Sequence, residues 1–139
     1  MAPRPEIDAV TAALREDAGI AAAILFGSAA RGRLRAESDL DVAVLYADES
    51  ARGLARKNIV DRLGCLGSIA LRDVHLVDLE SADCELRRAI FATGVWMFDR
   101  SGGALKQIER RTAIEYVDWE YTRRAIDTVL QRRLGQYIG

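Results

Sequence analysis

Cysteine and histidine are scarce in this chain of 139 residues, which contains two cysteines and one histidine. Cys65 and Cys84 do not form a Cys-x-x-Cys motif and no pair of histidines accompanies them, so a zinc site is not expected. We expect both cysteines to be small buried apolar residues. A disulfide bond is not needed in a cytosolic protein of this size.

The chain also lacks a long apolar run and an excess of charge of one sign. Its longest apolar segment, from Ile20 to Phe26, has seven residues, whereas a membrane-spanning helix needs about 20. The first residues show no apolar core of a signal peptide. A formal net charge of -1 argues against direct binding to nucleic acid. We therefore expect a cytoplasmic protein that binds neither membranes nor nucleic acid.

The apolar pattern of the chain predicts strands that alternate with helices. Strands are predicted over 21–26, 39–46, 69–79 and 95–98, and helices over 5–18, 50–63, 81–93 and 105–134. This order indicates an α/β or α+β fold, with a small mixed β-sheet of roughly three to four strands flanked by helices and a long C-terminal helix. We expect one domain, with a core over residues 1–104 and a C-terminal helical extension over 105–139.

One segment, from Gly27 to Asp41, carries the residues that point to chemistry. Gly27-Ser28 follows a predicted buried strand and precedes a predicted helical turn. Glycine lets the backbone approach a ligand closely, and backbone N–H groups with the serine hydroxyl can bind phosphate.

Asp39 and Asp41 lie two residues apart on the next predicted strand. Their carboxylates therefore share one face, about 6.6 Å apart along the strand. Two like charges in this position favour a bound cation, and oxygen ligands with phosphate oxygens suit Mg²⁺. Together the two features indicate metal-assisted phosphoryl or nucleotidyl transfer.

The combination Gly-Ser, ten residues, Asp-x-Asp resembles the signature of the DNA polymerase β-like nucleotidyltransferase superfamily. Given the short chain, it is similar to the minimal nucleotidyltransferases, the MNT-domain proteins. The resemblance is carried by residues 26–32 and 38–44 and extends more weakly to about Asp99. It implies a polymerase β-like fold in which Gly27, Ser28, Arg31 and Ser38 contact the nucleotide triphosphate. It also implies that Asp39 and Asp41 are catalytic and bind Mg²⁺, with two ions allowed.

The resemblance also implies a function. Many stand-alone MNT proteins are antitoxins of a HEPN-domain RNase toxin, and some transfer AMP from ATP to a tyrosine of that toxin. We therefore expect transfer of AMP from Mg-ATP to a hydroxyl of a HEPN-domain partner. The alternatives are an MNT antitoxin that acts by binding alone and a nucleotidyltransferase for a small molecule. A homo-oligomer is compatible with any of the three.

The chain departs from the family pattern on the third strand. Active members usually carry a third carboxylate there, and the matching position holds His75. Asp73 shares the face of His75 and could replace the missing acid. His75 could itself act as a general base. In the third interpretation the active site is degraded. Asp78 has the opposite strand parity to His75, and we expect it to begin the loop after the strand.

The C-terminal helix carries an apolar stripe at helical spacing. The stripe consists of Ile114, Val117, Tyr121, Ala125 and Val129, and is widened by Trp119, Ile126, Leu130 and Leu134. It either packs into the core or forms a face for a partner, since a small sheet can cover only part of a long helix.

Overall fold

The protein forms one four-stranded sheet with helices on both faces. A computed structural model describes residues 4–32 and 39–138. The elements are α1 (Pro5–Glu16), β1 (Ile20–Phe26), α2 (Gly27–Ala30), β2 (Leu40–Tyr46), α3 (Glu49–Lys57), α4 (Ile59–Ala70), β3 (Val74–Asp78), α5 (Cys84–Thr93), β4 (Val95–Asp99) and α6 (Ala104–Ile138). The predicted α+β class with a long C-terminal helix is confirmed. Within these residues, no helix combines the length and the apolar character that crossing a membrane requires.

The sheet is mixed, with the strand order β3-β2-β1-β4. Strand β1 pairs antiparallel with β2 and β4, whereas β2 pairs parallel with β3. Parallel neighbours need a crossover connection, and α3 and α4 provide it between β2 and β3. The two central strands, β1 and β2, have buried residues on both faces.

Each face of the sheet has its own hydrophobic core. On one face α1 and α4 pack against Leu40, Val42 and Val44 of β2. On the other face α5 and α6 pack against Ala43 and Leu45. The predicted alternation along 39–46 is confirmed, and by the same alternation Asp39 and Asp41 belong to the α5–α6 face.

The segment between β2 and β3 differs from the prediction of one helix over 50–63. Asp48, rather than Ser50, caps the first helix, since its carboxylate accepts a hydrogen bond from the Ala51 N–H at 2.7 Å. Asn58 then separates α3 from α4. Aspartate and serine are both favoured caps, so the local sequence does not decide between them.

Helix α4 also continues further than its glycines predict. Gly64 and Gly67 lie inside it, and β3 begins at Val74 rather than at residue 69. Each glycine costs the helix up to about 1 kcal/mol relative to alanine. Burial of Leu66 and Ala70 on the α1 side of the helix offsets that cost.

The two cysteines are not both buried, so that prediction is wrong. Cys65 is exposed on α4 and Cys84 is half-buried at the start of α5. Leu66 and Ala70 lie four residues apart and face the core, which turns the neighbouring Cys65 outward.

The apolar stripe of α6 does not pack into the core. Leu105 and Ile108, which precede the stripe, are buried against the sheet, but Ile114, Val117 and Tyr121 are exposed. Of the stripe residues only Trp119 is half-buried, so the prediction of core packing is wrong. Helix α6 has 35 residues and its neighbour α5 has ten, so α6 is about 52 Å long and extends far beyond what α5 can cover.

Candidate functional site

The candidate site lies at one end of the sheet, where β1 ends and where β2 and β3 begin. Antiparallel pairing places Phe26 beside Asp41, and parallel pairing places Asp41 beside His75. Gly27 and Ser28 directly follow Phe26. The strand order therefore brings residues 27–28, 39–41 and 75 to the same end of the sheet.

Gly27 lies directly against the Asp41 carboxylate, at the turn that follows β1. Its φ is +72°, which side chains other than glycine rarely adopt, and a Cβ atom at this position would collide with Oδ2 of Asp41. Only glycine allows the Asp41 carboxylate to lie directly against the backbone at this turn. The Gly-Ser motif and the Asp-x-Asp motif therefore lie side by side in the folded chain.

The short turn α2 begins at Gly27 and carries the other predicted phosphate contacts. Ser28 is half-buried in it, and Arg31 is exposed at its C-terminal end. The backbone N–H of Arg31 donates to the Gly27 carbonyl at 3.4 Å, which closes the turn. Ser38, also predicted to contact the nucleotide, lies outside the described residues.

His75 lies between the two aspartates. Its Nε2 is 3.5 Å from Oδ2 of Asp39, and its Nδ1 is 3.4 Å from Oδ1 of Asp41. These distances exceed a normal N–H···O hydrogen bond, so the contacts are electrostatic. An imidazolium could donate to both carboxylates, whereas a neutral imidazole donates from one nitrogen only.

All three side chains are open to solvent. The exposed fractions are 60% for His75, 43% for Asp39 and 31% for Asp41. A ligand can therefore reach them without movement of the core. The sequence predicts that His75 occupies the position of the usual third acid, but not its simultaneous contact with both carboxylates, which follows from the parallel pairing of β2 with β3.

Asp73 and Asp78 take other positions. Asp73 precedes β3, its side chain is exposed, and its carbonyl accepts a hydrogen bond from the Leu40 N–H at 2.9 Å. This bond sets Asp73 at the level of Asp39 along the paired strands. Asp78 ends β3 and its carboxylate binds Arg52 at 2.9 Å, so it belongs to an ion-pair network away from the candidate site.

The carboxylates of Asp39 and Asp41 fit a hard cation that is bound together with phosphate. Among residues 4–32 and 39–138, no three Asp, Glu, His or Cys side chains are arranged as a ready-made metal site. Asp39 and Asp41 supply carboxylate oxygens, and Mg²⁺ usually completes its shell with water and substrate phosphates. The glycine turn beside Asp41 lets such phosphates approach the backbone closely.

Comparison with known proteins identifies relatives of this fold. The family model described as Polymerase beta, Nucleotidyltransferase matches residues 8–102. That range contains all of the candidate site residues. No match was found among curated proteins.

Solved structures of toxin–antitoxin complexes are similar to the chain. A toxin–antitoxin crystal structure with AMP-PNP has 28% identity and a TM-score of 0.70, and covers 89% of this chain and 98% of that one. A complex of a tri-AMPylated Shewanella oneidensis HEPN toxin with an MNT antitoxin has 26% identity and a TM-score of 0.65, with 90% and 96% covered. An MntA–HepT complex has 26% identity and a TM-score of 0.64, with 90% and 97% covered.

Proposed function

This chain belongs to the polymerase beta nucleotidyltransferase family, and we propose that it transfers AMP from ATP to a hydroxyl group of a HEPN-domain toxin, as the antitoxin of that toxin. The AMP-PNP complex and the tri-AMPylated toxin among the similar structures support both the nucleotide and the acceptor class.

The observation that carries the proposal is the position of Asp41. It lies against the Gly27 backbone on one side and against His75 on the other, with Asp39 two residues away on the same face. A triphosphate on the Gly27-Ser28 turn would therefore lie next to two carboxylates. Asp39 and Asp41 would hold the Mg²⁺ ion, which would offset the negative charge of the phosphates.

The transfer forms one bond and breaks one. The acceptor hydroxyl oxygen bonds to the α-phosphorus of ATP, and the bond from that phosphorus to the bridging oxygen breaks, so that pyrophosphate leaves. The N–H groups of the Gly27-Ser28 turn and the Ser28 hydroxyl would donate to phosphate oxygens and hold the α-phosphorus in line.

The proton of the acceptor hydroxyl needs a base at the same end of the sheet. His75 lies within 3.5 Å of both carboxylates, and Asp73 is level with Asp39 on the neighbouring strand. A nitrogen of His75 in its neutral form could accept the proton directly. We assign this role to His75 because its imidazole is 60% exposed beside both carboxylates, where an acceptor hydroxyl can reach it.

The test is the intact mass of a HEPN-domain partner after incubation with this chain, ATP and Mg²⁺. A gain of one or more AMP units is expected. Asp41→Asn should abolish the gain, because it removes the charge that would hold the cation. Asp61→Asn, the same change at an exposed position of α4, should not. Full transfer by Asp41→Asn would contradict the proposal.

A second function, neutralisation of the toxin by binding alone, is favoured by one observation. His75 stands where a third carboxylate is expected, and its ring lies where a cation between Asp39 and Asp41 would compete with it. The double variant Asp39→Ala/Asp41→Ala separates the two functions. If the variant still forms the complex and silences the toxin, binding is sufficient; if the toxin regains RNase activity, transfer is required.

A further inference from the structure

The C-terminal part of α6 leaves the body of the protein. Residues 121–135 are exposed on every side of the helix. The exposed fraction is 78% for Tyr121, 49% for Val129 and 57% for Leu134. Helices gain most of their stability from packing of an apolar face, so a helix with apolar residues but no neighbour favours a partner.

Six exposed residues, five of them apolar, form two adjacent rows, each with a spacing of four. One row is Tyr121, Ala125 and Val129, and the other is Thr122, Ile126 and Leu130. These six residues are called the α6 face below. Its centre has small side chains, Ala125 and Thr122, which allow a second helix to approach closely.

Opposite charges mark the two ends of the α6 face. Asp118 extends the second row at the N-terminal end, and Arg133 extends the first row at the C-terminal end. Neither side chain takes part in an ion pair with another described residue, whereas the nearby Glu120 pairs with Arg124 at 3.0 Å. The face therefore carries one unpaired acid and one unpaired base, 15 residues apart.

We propose that the α6 face binds a second copy of this chain, with the two helices antiparallel about a two-fold axis between Ala125 and Ile126. Under this symmetry Asp118 faces Arg133 of the partner subunit, and Tyr121 faces Leu130 of the partner subunit. Thr122 then faces Val129 of the partner subunit. Opposite charges then meet at the two ends and apolar side chains meet between them, while the Thr122 hydroxyl is bonded to the Asp118 carbonyl of its own helix, so that one surface complements itself as a two-fold interface requires.

The charges also disfavour a dimer in which the two helices are parallel. A parallel pair would bring Asp118 against its own copy and Arg133 against its own copy, and like charges at contact distance repel. From Asp118 to Arg133 the helix is about 23 Å long. Two crossing helices of this length bury less than the roughly 800 Å² per partner of a standard interface, so we expect a dimer that dissociates on dilution.

The first test is sedimentation equilibrium of the isolated full-length chain from low micromolar to millimolar concentration. The mass should rise from 15.3 kDa toward twice that value. Val129→Glu places a charge in the centre of the face and should keep the chain monomeric. Gln131→Glu adds the same charge at an exposed position on the far side of α6 and should leave dimerisation unchanged. Circular dichroism would verify that both variants keep their helix content.

A charge exchange tests the antiparallel direction. Asp118→Arg or Arg133→Asp creates two repulsive pairs and should weaken dimerisation about tenfold. The double variant Asp118→Arg/Arg133→Asp exchanges the charges and should restore it. A chain that is monomeric at every concentration overturns the proposal and leaves the face for a different protein. Dimerisation that the single charge variants do not weaken, or that the double variant does not restore, overturns the antiparallel pairing. None of these measurements depends on AMP transfer.

Discussion

Replacement of Gly27 by alanine tests the link between the glycine turn and Asp41. The substitution places a methyl group against Oδ2 of Asp41 at a φ of +72°. The backbone strain alone costs about 1–2 kcal/mol. The carboxylate must also move by about 1 Å to reach an ordinary contact distance, and a shift of that size at reacting groups lowers rates by about 100-fold.

Gly102→Ala is the matched control. Gly102 has a φ of +66°, but a Cβ atom there meets nothing within 4 Å, and it lies in the turn before α6. In urea unfolding, both variants should lose a similar amount of stability from backbone strain. Gly27→Ala should lose more in total, because its methyl group also collides with Asp41. AMP transfer should fall by about 100-fold in Gly27→Ala only. Equal transfer by the two variants would refute the placement of the Asp41 carboxylate against the turn.

Three further variants test other contacts. Arg52→Gln leaves Asp78 without its 2.9 Å partner and should lower the free energy of unfolding by about 1 kcal/mol. The Arg56 side chain is 68% exposed, so Arg56→Gln should change the free energy of unfolding little. Urea unfolding measures both variants, and equal losses would count against the ion-pair network. Burial raises the pKa of Tyr46 above its usual value of 10.0, and nearby Arg62 opposes this. The unfolded chain then loses this proton first, so stability should fall as the pH rises above 10.0, and Tyr46→Phe should lessen the fall in melting temperature; an unchanged fall would exclude Tyr46 as its source. His75→Asp adds a third carboxylate beside the other two and should tighten Mn²⁺ binding measured by electron paramagnetic resonance without nucleotide, whereas unchanged affinity would show that His75 does not face the cation.

The sequence is sufficient to predict the faces of β2 and the grouping of the site because both follow from simple periodicity. Alternation along 39–46 places both aspartates on one face, and the structure has two separate cores on the two sides of that strand. Residues 27–28 and 39–41 come together because consecutive strands pair in an antiparallel hairpin-like arrangement. The contact of His75 with both carboxylates depends on the register of β3, which local sequence does not encode.

The helices between β2 and β3 show where local reasoning fails. Two glycines this close together are typical of a turn, yet Gly64 and Gly67 both lie in α4. The burial of Leu66 in the core outweighs their low helix propensity. The same limit applies to Cys65, whose exposure depends on which side of α4 faces α1. Propensity describes a residue in isolation, whereas these outcomes depend on the neighbours that the fold supplies.

The direction of α6 connects its exposed face to the candidate site. Cys84 contacts the Thr112 carbonyl and Arg87 pairs with Glu115, so α5 and α6 run in the same direction. Helix α5 ends just before Val95, which pairs with Leu25 at the site end of β1. The exposed part of α6 therefore continues toward the end of the sheet where Asp39 and Asp41 lie. A dimer formed through the α6 face would place a second helix near the path of the protein acceptor, so the rate of AMP transfer per chain should depend on protein concentration. Val129→Glu should remove that dependence, whereas Gln131→Glu should keep it.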